Sequence, residues 1–333
     1  MIRISLYILT LFLLIFNGGA DAAKYAGEAF SLGVGARALA LGGAVVAGPF
    51  DGTSGYWNPA GMNQLGGRYL TAMHAETFGS LLNHDFVAYI DARSKGNSLI
   101  RSFGFYVYYL GGGGIKITRL NEFERPYVVS EESHGDFLFT GSVSGKIKQV
   151  VDFGLTAKII YRDIGTESGY GLTMDAGLLY QVHKYARLGL TVADITTGFI
   201  RYSGGSTLME ETDTTDTEYD SDANTESIYP TVKPGLMLEY TYNDFTGRFL
   251  MSADIKFEGI RNAAQYWSGL LSLDTHYGWE IGFRDMVFGR AGFDIGRFTA
   301  GGGLDIKNII VDFAYMHHSD LDETFRVSAG YRF

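Results

Sequence analysis

The chain has no cysteine in 333 residues, which excludes disulfides, thiolate nucleophiles and cysteine-ligated metal sites. It also lacks positive charge: 27 Lys and Arg stand against 37 Asp and Glu, a formal net charge of -10. A nucleic-acid partner would need a basic face to displace counterions from phosphates, so that class is set aside. Beyond the first twenty residues there is no apolar run approaching the ~20 residues that span a bilayer as a helix. Proline is scarce, at 5, whereas the 46% hydrophobic content leaves room for a sizeable buried or lipid-facing area.

The amino terminus reads as an export signal. Arg3 supplies the positive end, residues 4–16 are mostly apolar, and Ala20-Asp21-Ala22 supplies small residues of the kind favoured at a cleavage site. The expectation is a signal peptide over 1–22 and a mature chain beginning near Ala23.

From Arg68 onward the residues alternate with period two. In the last ten, Phe325, Val327, Ala329, Tyr331 and Phe333 share one face, while Thr324, Arg326, Ser328, Gly330 and Arg332 share the other. Fourteen such segments are predicted, at 68–77, 84–92, 100–110, 136–148, 150–162, 170–182, 186–197, 231–242, 248–258, 276–285, 287–295, 297–306, 309–317 and 324–333. Most have the length of a tilted strand crossing a bilayer. Alternation alone does not separate a soluble sheet from a membrane barrel. The connections do: short links at 149, 183–185, 243–247, 286 and 307–308 fall on one side, and the long ones, 111–135, 199–230 and 259–275, on the other. The fold class expected is all-β, a transmembrane antiparallel β-barrel of 14 strands over 68–333. Sheet closure removes the unpaired backbone groups that hydrocarbon penalises.

Residues 23–67 precede the first strand and contain the stretch DGTSGYWNPAGM, in which Asn58-Pro59 favours a turn with Pro59 opening a short helix. A fourteen-strand barrel is wider than one its own wall side chains can fill. The expectation is therefore an N-terminal hatch, or plug, inside the lumen, with Tyr56 and Trp57 anchoring it to the wall.

GVGARALALGGAVVA followed by YWNPAGM resembles the amino-terminal signature of the PorV/PorQ group of outer-membrane proteins, related to the FadL-type (OMPP1/TodX) transporters. The resemblance implies a hatch whose conformation is fixed by Asn58, Pro59 and Ala60, and a sideways exit at a kinked third strand. In this chain the third strand runs into Gly111, Gly112, Gly113 and Gly114, which weaken strand pairing and are the candidate lateral gate. It further implies residence in the outer membrane of a diderm bacterium among outer-membrane lipids, and a role without a cofactor, catalytic residues or a metal.

Two functions follow. In the first, the protein is a channel for passive uptake of hydrophobic small molecules such as long-chain fatty acids or hydrocarbons, with Leu250, Phe288 and Met316 as candidate lumen contacts. In the second, it is a PorV-like component of type IX secretion that binds secreted proteins or secretion-system subunits. Inward charges of both signs, Arg284, Arg290, Arg297, Arg326 and Arg332 beside Glu280, Asp294, Asp305 and Asp312, are expected to pair structurally and to hold the hatch through Arg37.

Other motifs contribute little. The carboxylates between Glu210 and Glu226 read as a solvated loop, since DSDAN at 220–224 lacks the glycine and the terminal glutamate of an EF-hand. His317 and His318 point opposite ways on a strand. GVGARA at 33–38 is not preceded by a strand, and no G-x-S-x-G elbow occurs.

Overall fold

The computed structural model describes residues 27–77, 81–93, 98–165, 167–196, 198–203, 225–257, 264–317 and 323–333. The expected signal peptide, the acidic stretch up to residue 224 and His318 lie outside them.

Fourteen antiparallel strands close into a barrel. They are β1 (Gly67–Thr77), β2 (Leu82–Ala92), β3 (Ile100–Leu120), β4 (Pro126–Ile147), β5 (Val151–Asp163), β6 (Ser168–His183), β7 (Ala186–Ala193 continued by Gly198–Ser203), β8 (Thr225–Ile228 continued by Thr231–Tyr242), β9 (Phe245–Phe257), β10 (Leu271–Phe283), β11 (Val287–Asp294), β12 (Arg297–Ile306), β13 (Ile309–Met316) and β14 (Thr324–Arg332). A three-residue strand, Tyr266–Ser268, flanks β10. Closure is made by β14 on β1, from Tyr69 opposite Arg332 to Glu76 opposite Phe325. The two parts of β7 both pair with β6, and the two parts of β8 pair with β7, so each is one strand with an interruption.

Alternation sets the two faces. On β14, Phe325 and Val327 are exposed while Thr324, Arg326 and Ser328 are buried. The same holds around the wall, where Phe105, Ile159, Leu172, Leu188, Ile281 and Phe313 are exposed on the outside. An apolar exterior that runs round a closed sheet satisfies its backbone internally and belongs in lipid. No helix among the described residues is long and apolar enough to cross a membrane; the strands make the crossing.

Strand extends into all three of the expected long connections: Gly198–Ser203 and Thr225–Ile228 into 199–230, Tyr266–Ser268 and the start of β10 at Leu271 into 259–275, and, most extensively, β3 and β4 into 111–135. Residues 111–135 are not a long loop: β3 and β4 run on as a paired hairpin to Leu120 opposite Pro126. Ile115, Ile117, Thr118, Val128 and Val129 supply the β-branched residues that suit strands. Asn121 closes the tip, its Oδ1 accepting from the backbone N–H of Phe123 at 2.9 Å and of Arg125 at 3.0 Å. Arg284, expected on an inward face, lies instead in the turn after β10, exposed and 3.1 Å from Asp244, because β10 ends at Phe283.

Inside the barrel, the segment before β1 folds into a 3-10 turn at Glu28–Phe30, α1 (Ala36–Ala40), α2 (Ser54–Trp57) and a 3-10 helix at Pro59–Gln64. Residues 33–49 and 52–55 are largely buried, as are 58–62.

Candidate functional site: the segment within the lumen

A helix or loop can approach a sheet closely only where the sheet has no side chains in the way. Inward-facing glycines provide that clearance on seven strands: Gly154, Gly177, Gly189, Gly235, Gly278, Gly292 and Gly301. A Cβ at Gly278 would come within 2.6 Å of Leu41 O, and one at Gly292 within 2.6 Å of Gly42 N. At Gly154 and Gly189 it would overlap the backbone of Pro59 and Val46. Three pairs of these glycines lie directly opposite one another: Gly154 and Gly177, Gly189 and Gly235, and Gly278 and Gly292. The inner wall thus carries a smooth band against which the backbone of residues 40–60 is laid.

Asn58 and its neighbours make the tightest part of this seat. The Asn58 side chain is fully buried; its amide donates to Val46 O at 2.9 Å and to Leu178 O at 3.3 Å, and its Oδ1 accepts from Ala60 N at 3.1 Å. One side chain therefore joins two parts of the segment to β6. Pro59 occupies the first position of the 3-10 helix, where its missing N–H costs nothing. Ala60 has no exposed surface.

The aromatic pair that precedes this turn works inside the segment as well as against the wall. Tyr56 donates from its hydroxyl to Phe30 O at 2.7 Å and accepts from Gly33 N at 3.1 Å. Trp57 donates from Nε1 to Val34 O at 2.9 Å, and its own carbonyl accepts from Thr191 on β7 at 3.0 Å. Tyr56 stacks on Tyr108 of β3, with ring centroids 6.4 Å apart.

Arg37 on α1 meets the wall through a bidentate pair with Glu280 on β10, at 3.0 and 2.8 Å. Glu280 has no exposed side-chain surface and also accepts from Arg248 and Arg290, each at 2.6 Å. Arg290 reaches on to Asp312 at 2.6 Å. One buried carboxylate thus faces three guanidinium groups. Two smaller clusters stand on neighbouring strands: Lys158 with Asp175 and Asp194, and Lys233 with Asp254, all at 2.7 Å.

The three expected lumen contacts all face inward and meet the segment itself. Leu250 is fully buried in a cluster with Ala38, Leu41 and Ala44, and Met316 in one with Leu39 and Ala40. Phe288 lies beneath Arg37 and Arg290, whose guanidinium carbons stand 5.6 and 5.1 Å from its ring centroid. It lines a cavity of about 70 Å³ with Asp51, Asp305 and Arg332. Two further cavities beside α1 measure about 20 and 10 Å³. An engineered cavity that accepts benzene measures about 150 Å³, so none of these three admits such a ligand as they stand. Gly111 to Gly114 lie away from the segment, within β3. Pairing with β2 ends at Asn83 opposite Gly111, and the register with β4 shifts between Gly112 and Ile115.

Sequence reasoning missed the glycine band and the polar residues His84 and Thr77. The band has a signal, inward glycines on successive strands, but its level depends on strand register. Among the described residues, no group of three His, Asp or Glu is placed to hold a metal.

No protein-family model matches the chain, and no curated protein does. Solved structures do. The P. putida toluene transporter TodX matches with a TM-score of 0.56 at 11% identity, over 90% of this chain and 99% of its own. The CymD monoaromatic hydrocarbon channel matches with a TM-score of 0.56 at 12% identity, over 91% and 98%. At such identities the likeness is one of fold. The closed barrel with its apolar exterior places the chain in the outer membrane of a Gram-negative bacterium.

Proposed function

We propose that the protein is a FadL-like outer-membrane channel for passive uptake of hydrophobic small molecules, and that residues 23–67 are its hatch. The observation that carries this reading is the fit between the buried segment and the glycine band. A wall built to seat a backbone closely holds a plug in place, and a plug is what a barrel of this width needs to avoid leaking. The shared fold with channels for toluene and monoaromatic hydrocarbons supports the same reading. An enzyme is disfavoured, since these neighbours are channels or transporters.

In this proposal Arg37, Tyr56, Trp57, Asn58, Pro59 and Ala60 hold the hatch closed. Leu250, Phe288 and Met316 become ligand contacts when it shifts. Gly111, Gly112, Gly113 and Gly114 are the place where the wall parts; the register shift after Gly112 and the φ of 79° at Gly114 support local weakness there. The test is uptake of labelled long-chain fatty acid and of toluene by cells whose outer membrane carries this protein alone among channels for apolar solutes. Uptake above that of empty cells is expected. No uptake, together with secreted proteins co-purifying from the native membrane, would overturn the channel and support the PorV-like secretion role.

A further inference from the structure

The hairpin over 111–135 leaves the barrel with two open strand edges. Pairing of β3 with β2 stops at Gly111 opposite Asn83, and pairing of β4 with β5 starts only at Gly135 opposite Asp163. Between those points β3 and β4 pair only with each other among the described residues, out to Leu120 opposite Pro126. At ~3.3 Å per residue the β3 arm, 113–120, reaches ~26 Å past the end of its pairing with β2. The ribbon stands on the side of the long connections, which in outer-membrane barrels faces out of the cell.

A lone two-stranded ribbon is marginal in water, and this one also carries apolar residues outward. Ile115, Leu120, Tyr127, Val128 and Val129 are all exposed on it. An exposed apolar edge is a template for a further strand. The two edges differ in sign. The β3 arm carries Lys116 and Arg119 and no carboxylate, whereas the β4 arm, 126–134, carries Glu131 and Glu132 and no lysine or arginine. None of these four is held in an ion pair among the described residues, although register sets Lys116 opposite Glu131 within the hairpin. Gly113, with open space around it, and Gly114, with φ of 79°, sit at the foot of the ribbon, so it can lean from the wall toward a neighbour.

Copies inserted in one membrane share a direction, so β3 runs outward and β4 inward in each of them. Two β3 edges brought together would pair in parallel and set Lys116 and Arg119 of one copy against those of the other. A β3 edge beside a β4 edge pairs antiparallel, as neighbouring strands of the barrel do, and sets two cations against two carboxylates. Like charges across a strand pair destabilise it and opposite charges support it. Such a contact is head-to-tail, and it forms a ring where the rotation between copies closes.

We infer that the ribbon is an interface between copies of this chain, in which the basic β3 edge of one copy adds to the acidic β4 edge of the next in the same membrane. The inference does not rest on the channel reading and holds whatever crosses the barrel.

The lack of cysteine allows single-site cross-linking without background. Two full-length versions with different tags, Thr118→Cys on the β3 edge and Val128→Cys on the β4 edge, are co-expressed in one outer membrane and treated with a short bis-maleimide. Dimers carrying both tags are expected, several times more abundant than same-tag dimers of either version. Charge reversal supplies a second readout. Lys116→Glu/Arg119→Glu makes both edges acidic, and Glu131→Lys/Glu132→Lys makes both basic. Co-purification of two differently tagged copies should be lost when both carry the same reversal and recovered when each carries a different one, which a ribbon that failed to fold could not do. A predominance of same-tag Thr118→Cys dimers, the absence of any cross-linked dimer, or co-purification indifferent to the reversals overturns the inference.

Discussion

Asn58 and Gly177 are fitted to one another: a Cβ on Gly177 would overlap Asn58 Oδ1 and lie 3.0 Å from Pro59 Cδ. Gly177→Ala should therefore push the Asn58 turn off the wall without altering the outer surface. Overpacking of this kind costs ~1–3 kcal/mol, set against the hatch rather than the barrel. In planar bilayers the variant should show larger and more frequent ion-conducting events than the parent protein. Gly289→Ala, where a Cβ meets nothing within 4 Å, should match the parent. Equal conductance in all three would mean that the segment is not what closes the lumen.

Glu280 carries more of the seat than Arg37 does. Removing the carboxylate as Glu280→Ala leaves Arg37, Arg248 and Arg290 facing one another in a buried site, and breaking a buried pair this way costs ~3–5 kcal/mol. Removing Arg37 leaves Glu280 with two guanidinium partners, so Arg37→Met should cost less. Thermal unfolding followed by gel mobility of heated and unheated samples will rank them. A ranking in which Arg37→Met is the more damaging would show that the network depends on the segment instead of supporting it.

The strands were legible because each one must present apolar residues outward and polar residues inward, and period two survives in the sequence wherever both faces are in use. The Asn58-Pro59 turn was legible for a local reason, the backbone preferences of those two residues. The glycine band was not, because Gly278 opposite Gly292 is a fact about register between strands, and alternation does not set register. The bonds from Arg326 to the carbonyls of Gly33 and Leu32 were hidden for the same reason: they depend on closure of β14 against β1 and on where residues 32 and 33 come to rest. The hairpin over 111–135 is hidden in the sequence because four consecutive glycines mask the alternation that resumes after them. Glycine in a strand removes the side-chain signal while leaving the backbone free to pair.

At Gly112 and Gly113 the proposal of a lateral gate meets the geometry of β3. A Cβ on Gly112 would lie 2.7 Å from Leu81 O, whereas Gly113 has open space around it. Valine at both positions adds β-branched residues that stiffen the strand where the register slips. Uptake of labelled fatty acid should fall several-fold in Gly112→Val/Gly113→Val while the amount of folded protein in the membrane stays constant. Unchanged uptake would remove these glycines from the exit route.

Burial pushes the Tyr56 phenol up, and that shift has a definite sign in stability. An unfolded phenol ionises near pH ~10, and the buried one ionises higher, so between those values the folded state keeps a proton that the unfolded state has lost. The contribution is fully present below the ordinary value and is lost as pH rises through the raised one. Once ionised, Tyr56 cannot donate to Phe30 O, and the stretch at 27–33 loses one of its anchors. Trp57 reports the event, since its ring stands 5.2 Å from that of Tyr56 in an edge-on contact. With Trp267 and Trp279 replaced by Phe, the emission of Trp57 should change with a midpoint above pH 10, and Tyr56→Phe should abolish that transition even though Tyr106 and Tyr108 remain nearby. A midpoint at or below the ordinary phenol value would mean that Tyr56 is open to water, and the segment would then be too loosely seated to act as a hatch.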